Sequence, residues 1–230
     1  MAATPLPAEG EPPAGTVKTC DASGMIEIHR MFRRGFGEAP ALVRAVAPGD
    51  TAHAAVVATQ LETTSASLHA HHDGEDERLW GALEERAPSC TDHVERMKEQ
   101  HAVMLVHLRE LDDALPAWRA SASALDAVPV LAALDGVNAA LEVHLPDEEA
   151  NIVPVMETTM TDKEMDWFSE HGRRSTPKGQ TWNQLGAILA SQPDGGDEWL
   201  HKNMPAPGRL AWRWIGKPRY EKHRAALERV

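Results

Sequence analysis

The stretch His71-His72-Asp73-Gly74-Glu75-Asp76-Glu77-Arg78-Leu79 returns later in the chain as His144-Leu145-Pro146-Asp147-Glu148-Glu149-Ala150-Asn151-Ile152. Both copies read His-x-x-x-Glu, with an aliphatic residue four positions further on. On an α-helix this spacing puts the imidazole and the carboxylate on one face, about one turn apart. The neighbouring residues make that face an apolar one. Around the first copy Val57, Leu61, Leu68, Leu79 and Leu83 form a stripe whose gap is filled by His71 and Glu75. Around the second, His144 and Glu148 fill the missing turns of Leu134, Val137, Leu141, Ile152 and Val155. A period of three to four residues marks helices that turn one side to a core.

Two further segments share the pattern. His101 interrupts the stripe Val94, Met97, Met104, Leu108, Leu111, Leu115, and His29 lies among Met25, Ile26, Phe32 and Phe36. The expected helices run from Met25 to Val46, from Asp50 or Thr51 to Arg86, from Asp92 to Leu115 and from Pro129 to Met156. Ala47-Pro48-Gly49-Asp50 is a turn, Asp92 with Glu95 and Thr161 with Glu164 read as capping boxes, and Pro129 suits a first helical turn. No segment alternates like a strand. The expectation is an all-α, up-down-up-down four-helix bundle over residues 21–158, preceded by a disordered tail (1–20) and followed by a Trp-rich helical extension packed on it (159–230).

Composition narrows the functional classes. A net charge of −12 argues against a nucleic-acid surface, and two cysteines, Cys20 and Cys90, form neither a disulfide framework nor a thiolate metal site. No apolar run reads as a membrane span and the first residues do not resemble a secretion signal, so a cytoplasmic location without membrane or nucleic-acid partners is expected. The extension holds Trp167, Trp182, Trp199, Trp212 and Trp214, best read as anchors onto the bundle. Its basic end (Arg209, Arg213, Lys217, Arg219, Lys222, Arg224, Arg229) reads as a solvated helix face. His53, His69, His93, His107, His171, His201 and His223 fall off the stripes and default to the surface.

The in-facing polar residues call for one shared explanation. An isolated buried carboxylate costs several kcal/mol unless it finds a proton, a partner or a metal. Two carboxylates and four imidazoles, at least one imidazole from each helix, make a two-metal set, and imidazole with carboxylate but no thiolate suits iron. Spacing alone also permits His72 with Asp76 in place of His71 with Glu75; the internal repeat favours the latter. Gly74 and Pro146 each fall between a histidine and its glutamate, where a weakened helix can let the pair splay.

At these residues the chain resembles the hemerythrin-like (HHE cation-binding) family, through the His29 helix, HAHHDGEDERLW, EQHAVM and HLPDEEANIVPV in that order, between about Met25 and Met156. The resemblance implies two iron ions (Fe2+/Fe3+), bridged by oxo or hydroxo and carboxylate, held by His29, His71, Glu75, His101, His144 and Glu148, with His72 and Asp76 as lesser candidates and no catalytic residue beyond the ligands. It implies reaction with O2, peroxide or a related small oxidant, as an oxidase, peroxidase or oxygenase. The alternatives are an oxygen or iron sensor, an O2-binding protein without turnover, or a di-iron oxygenase with a small organic substrate. Oxygen-carrying members have a further histidine four residues after the third-helix ligand, where this chain has Leu105. Without it both metals keep open positions, which suits turnover better than carriage.

Overall fold

The computed structural model describes residues 17–229, and every element among them is helical. Helix α1 spans Ser23–Ala45. Helix α2 spans Thr51–Gly74, passes through one π-helical turn at Glu75–Leu79 and resumes as α3, Trp80–Arg86. After a 3₁₀ turn at Pro88–Cys90, α4 runs Thr91–Ser121 and α5 Ala124–Asn151, with α6 (Val153–Thr159) almost continuous with it. The remainder comprises α7 (Asp162–Ser175), α8 (Thr181–Ser191), α9 (Asp197–Asn203), α10 (Ala206–Ala211) and, after a second π turn at Trp212–Gly216, α11 (Lys217–Leu227).

Local chemistry explains most boundaries. Gly49, at φ +82°, makes the turn between α1 and α2, and Asp50 caps α2 by accepting the His53 N–H at 2.9 Å. The expected capping box at Asp92 is absent: α4 starts at Thr91 without a side-chain cap, and Glu95 instead pairs with Lys98. Helix α4 also runs past Leu115, because Trp118 continues the buried stripe and Pro116 is accommodated within the helix. Ser123 then caps α5 by accepting the Asp126 N–H at 3.0 Å, so Pro129 lies in the second turn rather than the first. Thr161 and Glu164 form the capping box expected for α7.

The helices α1, α2, α4 and α5 pack in a ring, α1 against α2 and α5, α4 against α2 and α5. The core inside is divided into two clusters. One gathers Phe32, Phe36, Leu61, Leu68, Met104, Leu108, Leu134, Leu141 and Leu145 with their neighbours. The other gathers Met25, Leu79, Trp80, Leu83, Val94, Met97, Ile152 and Met156. Along each of the four sides of the ring the chain passes from one cluster to the other across the polar residues singled out above: Met25–His29–Phe32, Leu68–His71–Leu79, Met97–His101–Met104 and Leu141–His144–Ile152.

Several expectations change. Residues 1–16 of the expected tail lie outside the described residues. Thr19 and Cys20 are anchored, however, through Thr19 N–H to the Glu157 carbonyl (2.7 Å), Thr19 Oγ1 to that of Met160 (2.6 Å) and the buried Cys20 side chain. The basic end is only partly solvated. Arg224 pairs with Glu38 on α1 and Arg229 with Asp50, joining acidic positions of the bundle. His53 is buried, not exposed, because the end of α11 covers it and the Leu227 carbonyl accepts its Nε2 at 2.9 Å. His223 bonds Gln60 and His69 bonds Asp112, whereas His201 is exposed. The segment Ala124–Thr159 contains a window of mean hydropathy 1.5, long and apolar enough by composition to cross a membrane. In this fold it is a ring helix carrying His144 and Glu148 inward.

The tryptophans divide the same way. Trp167 lies under the Arg78 guanidinium (4.3 Å) and beside Gly74, whereas Trp182 and Trp212 pack together around Gly216. Trp214 is 70 % exposed and anchors nothing. The two most buried tryptophans, Trp80 and Trp118, lie instead on α3 and α4. A Cβ on Gly216 would stand 2.5 Å from both the Trp182 and Trp212 rings. Gly216→Ala is therefore expected to loosen the α8–α11 layer by about 1–3 kcal/mol despite its better helix propensity. Limited proteolysis should then cut within residues 176–229 first, with metal content unchanged.

Candidate metal centre

The seam between the two core clusters is where the side chains converge. His29, Glu75, His144 and Glu148 are fully buried, and His72 and His101 nearly so. His71 is 10 % exposed at its side chain. His71 and His72 diverge because successive residues on a helix point about 100° apart. The His71 Nε2 meets His29 Nε2 of α1 at 3.1 Å. The His72 ring lies 4.0 Å from that of His101 on α4 and 5.3 Å from that of His144 on α5.

Glu75 stands four residues after one and three after the other, so it serves both sides. Its Oε1 is 3.2 Å from His71 Nε2 and its Oε2 is 3.4 Å from His101 Nε2. Glu148 does the same from the opposite helix, its Oε2 lying 3.3 Å from His29 Nε2 and 3.4 Å from His144 Nε2. Of the irregularities anticipated between histidine and glutamate, the one beside Gly74 materialises as the π turn that begins at Glu75. Pro146 sits within an unbroken α5.

Outside the seam each of three imidazoles is held by its other nitrogen. His29 Nδ1–H donates to Glu149 Oε1 (2.9 Å), itself gripped by Arg33 through two bonds of 2.6 and 3.1 Å. His101 Nδ1–H donates to Asp76 Oδ1 (3.1 Å), which also accepts Trp80 Nε1–H (2.7 Å). His144 Nδ1–H donates to Gln100 Oε1 (3.0 Å), whose amide is fixed by Asp147, in turn gripped by Arg96. A proton held on the outer nitrogen leaves a lone pair on the inner one. Asp76, a lesser ligand candidate on spacing, thus faces outward with a 55 % exposed side chain and orients His101.

These inner atoms have nothing to bond. The Nε2 atoms of His72, His101 and His144 and both oxygens of Glu75 and Glu148 are buried without a hydrogen-bond partner among the described residues. Their near neighbours are lone pairs of one another. Three combinations place one donor atom per residue within 4.8 Å of the others: His72, His101, His144; His29, His71, Glu148; and His71, His72, Glu75. A cluster of buried imidazole and carboxylate lone pairs turned on one another is what a cation would satisfy, so the residues fit a metal.

Protonation follows the same geometry. Burial, then the negative charge of Glu148, pushes Glu75 well above the ordinary carboxylate range. Burial would raise Glu148 too, but the His29 imidazole 3.3 Å away, with His144 and His71, holds it low. Burial and neighbouring imidazoles drive His71 and His72 well down, and burial lowers His144 to about 4. Arg96 holds Asp147 at about 2.

The family model described as the hemerythrin HHE cation binding domain matches residues 22–168. The chain belongs to the hemerythrin HHE cation-binding domain family. No curated protein and no solved structure gives a significant match. The HHE match extends through α6 into α7, so it covers the whole ring and all seven seam residues. Of the candidates read from the sequence, His29, His71, Glu75, His101, His144 and Glu148 come together in this HHE domain, and His72 joins them. The orienting residues Gln100, Asp147 and Glu149 went unread in the sequence, since a polar residue beside a ligand looks like any solvated position.

The raised Glu75 has a testable sign. A carboxyl whose folded pKa lies above its ordinary 4.5 destabilises the metal-free fold increasingly as pH rises from 4.5 through the folded value. Glu75→Gln removes that cost. The metal-free variant should match the parent below pH 4.5 and exceed it by a growing margin above, in urea unfolding followed across pH. Parallel curves would show that Glu75 ionises freely in the fold.

Proposed function

We propose that this chain is a non-haem di-iron protein that reacts with O2 or peroxide. The observation that carries the reading is the seam itself: two groups of inward imidazole nitrogens, each touched by both Glu75 and Glu148. His29, His71, Glu75, His101, His144 and Glu148 would hold the irons, the two carboxylates spanning the pair. Imidazole and carboxylate without thiolate favour iron over the softer alternatives. Bound there, a pair of irons would supply the electrons that reduce a small oxidant.

The protein's own part is positioning and exclusion. Asp76, Gln100 and Glu149 fix the histidine tautomers, and the two apolar clusters above and below the seam keep bulk water from it. Entry is provided on one side. A cleft of about 360 Å³ between α2 and α4 has His72 and His101 in its wall, with Asp73, Asp76, Trp80, Lys98 and Leu105 around them. Leu105, the position where oxygen carriers of the family are expected to supply another imidazole, is half-buried and lines that cleft.

The size of the cleft supports a second reading, a di-iron oxygenase. O2 needs only a narrow channel, whereas this volume falls at the lower end for a small organic ligand. Its acidic and imidazole rim suits a polar, cationic or hydrogen-bonding molecule.

Protein produced in iron-rich medium should contain about two irons per chain; Glu75→Ala, which removes a carboxylate reaching both groups, should lose both, and His101→Ala should lose at least the iron of its own group. Chelation should lower the thermal midpoint. The reduced protein should consume dissolved O2 at an electrode faster than the chelated protein. A single zinc per chain, or iron content untouched by these substitutions, would overturn the assignment.

A further inference from the structure

Helix α4 contributes one buried imidazole to the seam, His101. Four residues after His101, on the same face, stands Leu105, which offers no donor atom and lines the cleft. The space facing His101 and His144 is occupied from a different helix. The His72 ring stacks on His101 with centroids 4.0 Å apart and meets His144 edge-on at 5.3 Å; His101 and His144 are themselves 4.8 Å apart. The three offer one ligand nitrogen each within 4.8 Å, all three residues buried. Each of their Nε2 atoms lacks a partner among the described residues. An imidazole buried for packing alone normally finds a hydrogen bond for its nitrogens, because leaving one unmet is costly.

We propose that His72 is a metal ligand grouped with His101 and His144, and that it supplies from α2 the coordination position that Leu105 leaves vacant on α4. The assignment rests on the di-metal reading above and changes its symmetry. One metal position then has three imidazoles (His72, His101, His144) and the other two (His29, His71), with Glu75 and Glu148 between them. The position richer in nitrogen is the one beside the cleft, whose wall includes His72 and His101. The consecutive pair His71-His72 thus divides between the two metals, because α2 lies between α1 and α4 and adjacent side chains face different neighbours.

Anaerobic titration with Co(II) tests this, read by visible absorption and by the solvent-exchangeable, paramagnetically shifted proton resonances of ligand imidazoles. The parent should take up two Co(II) per chain. His72→Leu should retain one and weaken the other roughly tenfold or more, and should lose one shifted imidazole resonance. His72→Leu combined with Leu105→His should recover both. His72→Gln, which keeps a polar side chain, provides the same comparison should the leucine variant fold poorly, and circular dichroism of the metal-free forms checks this. Two-site binding with parental affinity and an unchanged resonance count in the variants overturns the assignment. A parent that binds one Co(II), lost on changing His72, upholds His72 as ligand and overturns the two-metal reading. A parent that binds none overturns both.

Discussion

The structure depends on a layer of buried imidazoles and carboxylates cut through an otherwise apolar core. Seven side chains from four helices meet in it, and the hydrophobic residues are left as two clusters that do not merge. Such a layer is unfavourable on its own terms, since the inner nitrogens and oxygens give up water without gaining hydrogen bonds. The two apolar clusters offset that cost and hold the four helices in register. A cation turns the same atoms from a liability into a cross-link among all four ring helices.

Precision in the layer comes from outside it. Three imidazoles are each tied by their outer nitrogen to Glu149, Asp76 or Gln100, and the groups behind them, Arg33, Trp80 and Asp147 with Arg96, hold those acceptors in turn. Apart from the buried Trp80, these residues lie at or near the surface, where charge-assisted bonds can form without a large desolvation cost. The interior therefore needs no polar residue other than the candidate ligands to orient itself. The C-terminal helices add a second covering. Helix α7 lies on α2 beside Gly74, where the close approach of Trp167, Phe168 and His171 leaves little room for a side chain. Helices α8 and α11 cover α1 and α2 through the ion pair of Arg224 with Glu38 and the burial of His53.

The helices and their in-facing polar positions could be read along the chain because each is a local periodicity. Met97, His101 and Met104 fall on one face whatever the rest of the protein does. The same reasoning placed the α1–α2 turn and the α7 capping box, both set by residues adjacent in sequence. It failed at Asp92, where α4 starts one residue earlier without a side-chain cap, and at Pro129, where the Ser123 cap starts α5 earlier.

By itself, then, the sequence determined that four helices each carry an inward histidine, that two also carry an inward glutamate, and that the chain is of the hemerythrin HHE kind. Only the tertiary structure decided which nitrogens share a neighbour. His71 and His72 are equivalent in composition and one residue apart, and a single helix has no inside until its partners are placed. Once α1 and α4 lie on either side of α2, His71 faces His29 and His72 faces His101 and His144. Asp76, one residue past Glu75, is turned out to hold an imidazole from behind. The same placement made His53 a buried residue and Leu105 part of a cleft wall, because both depend on segments far away in the chain.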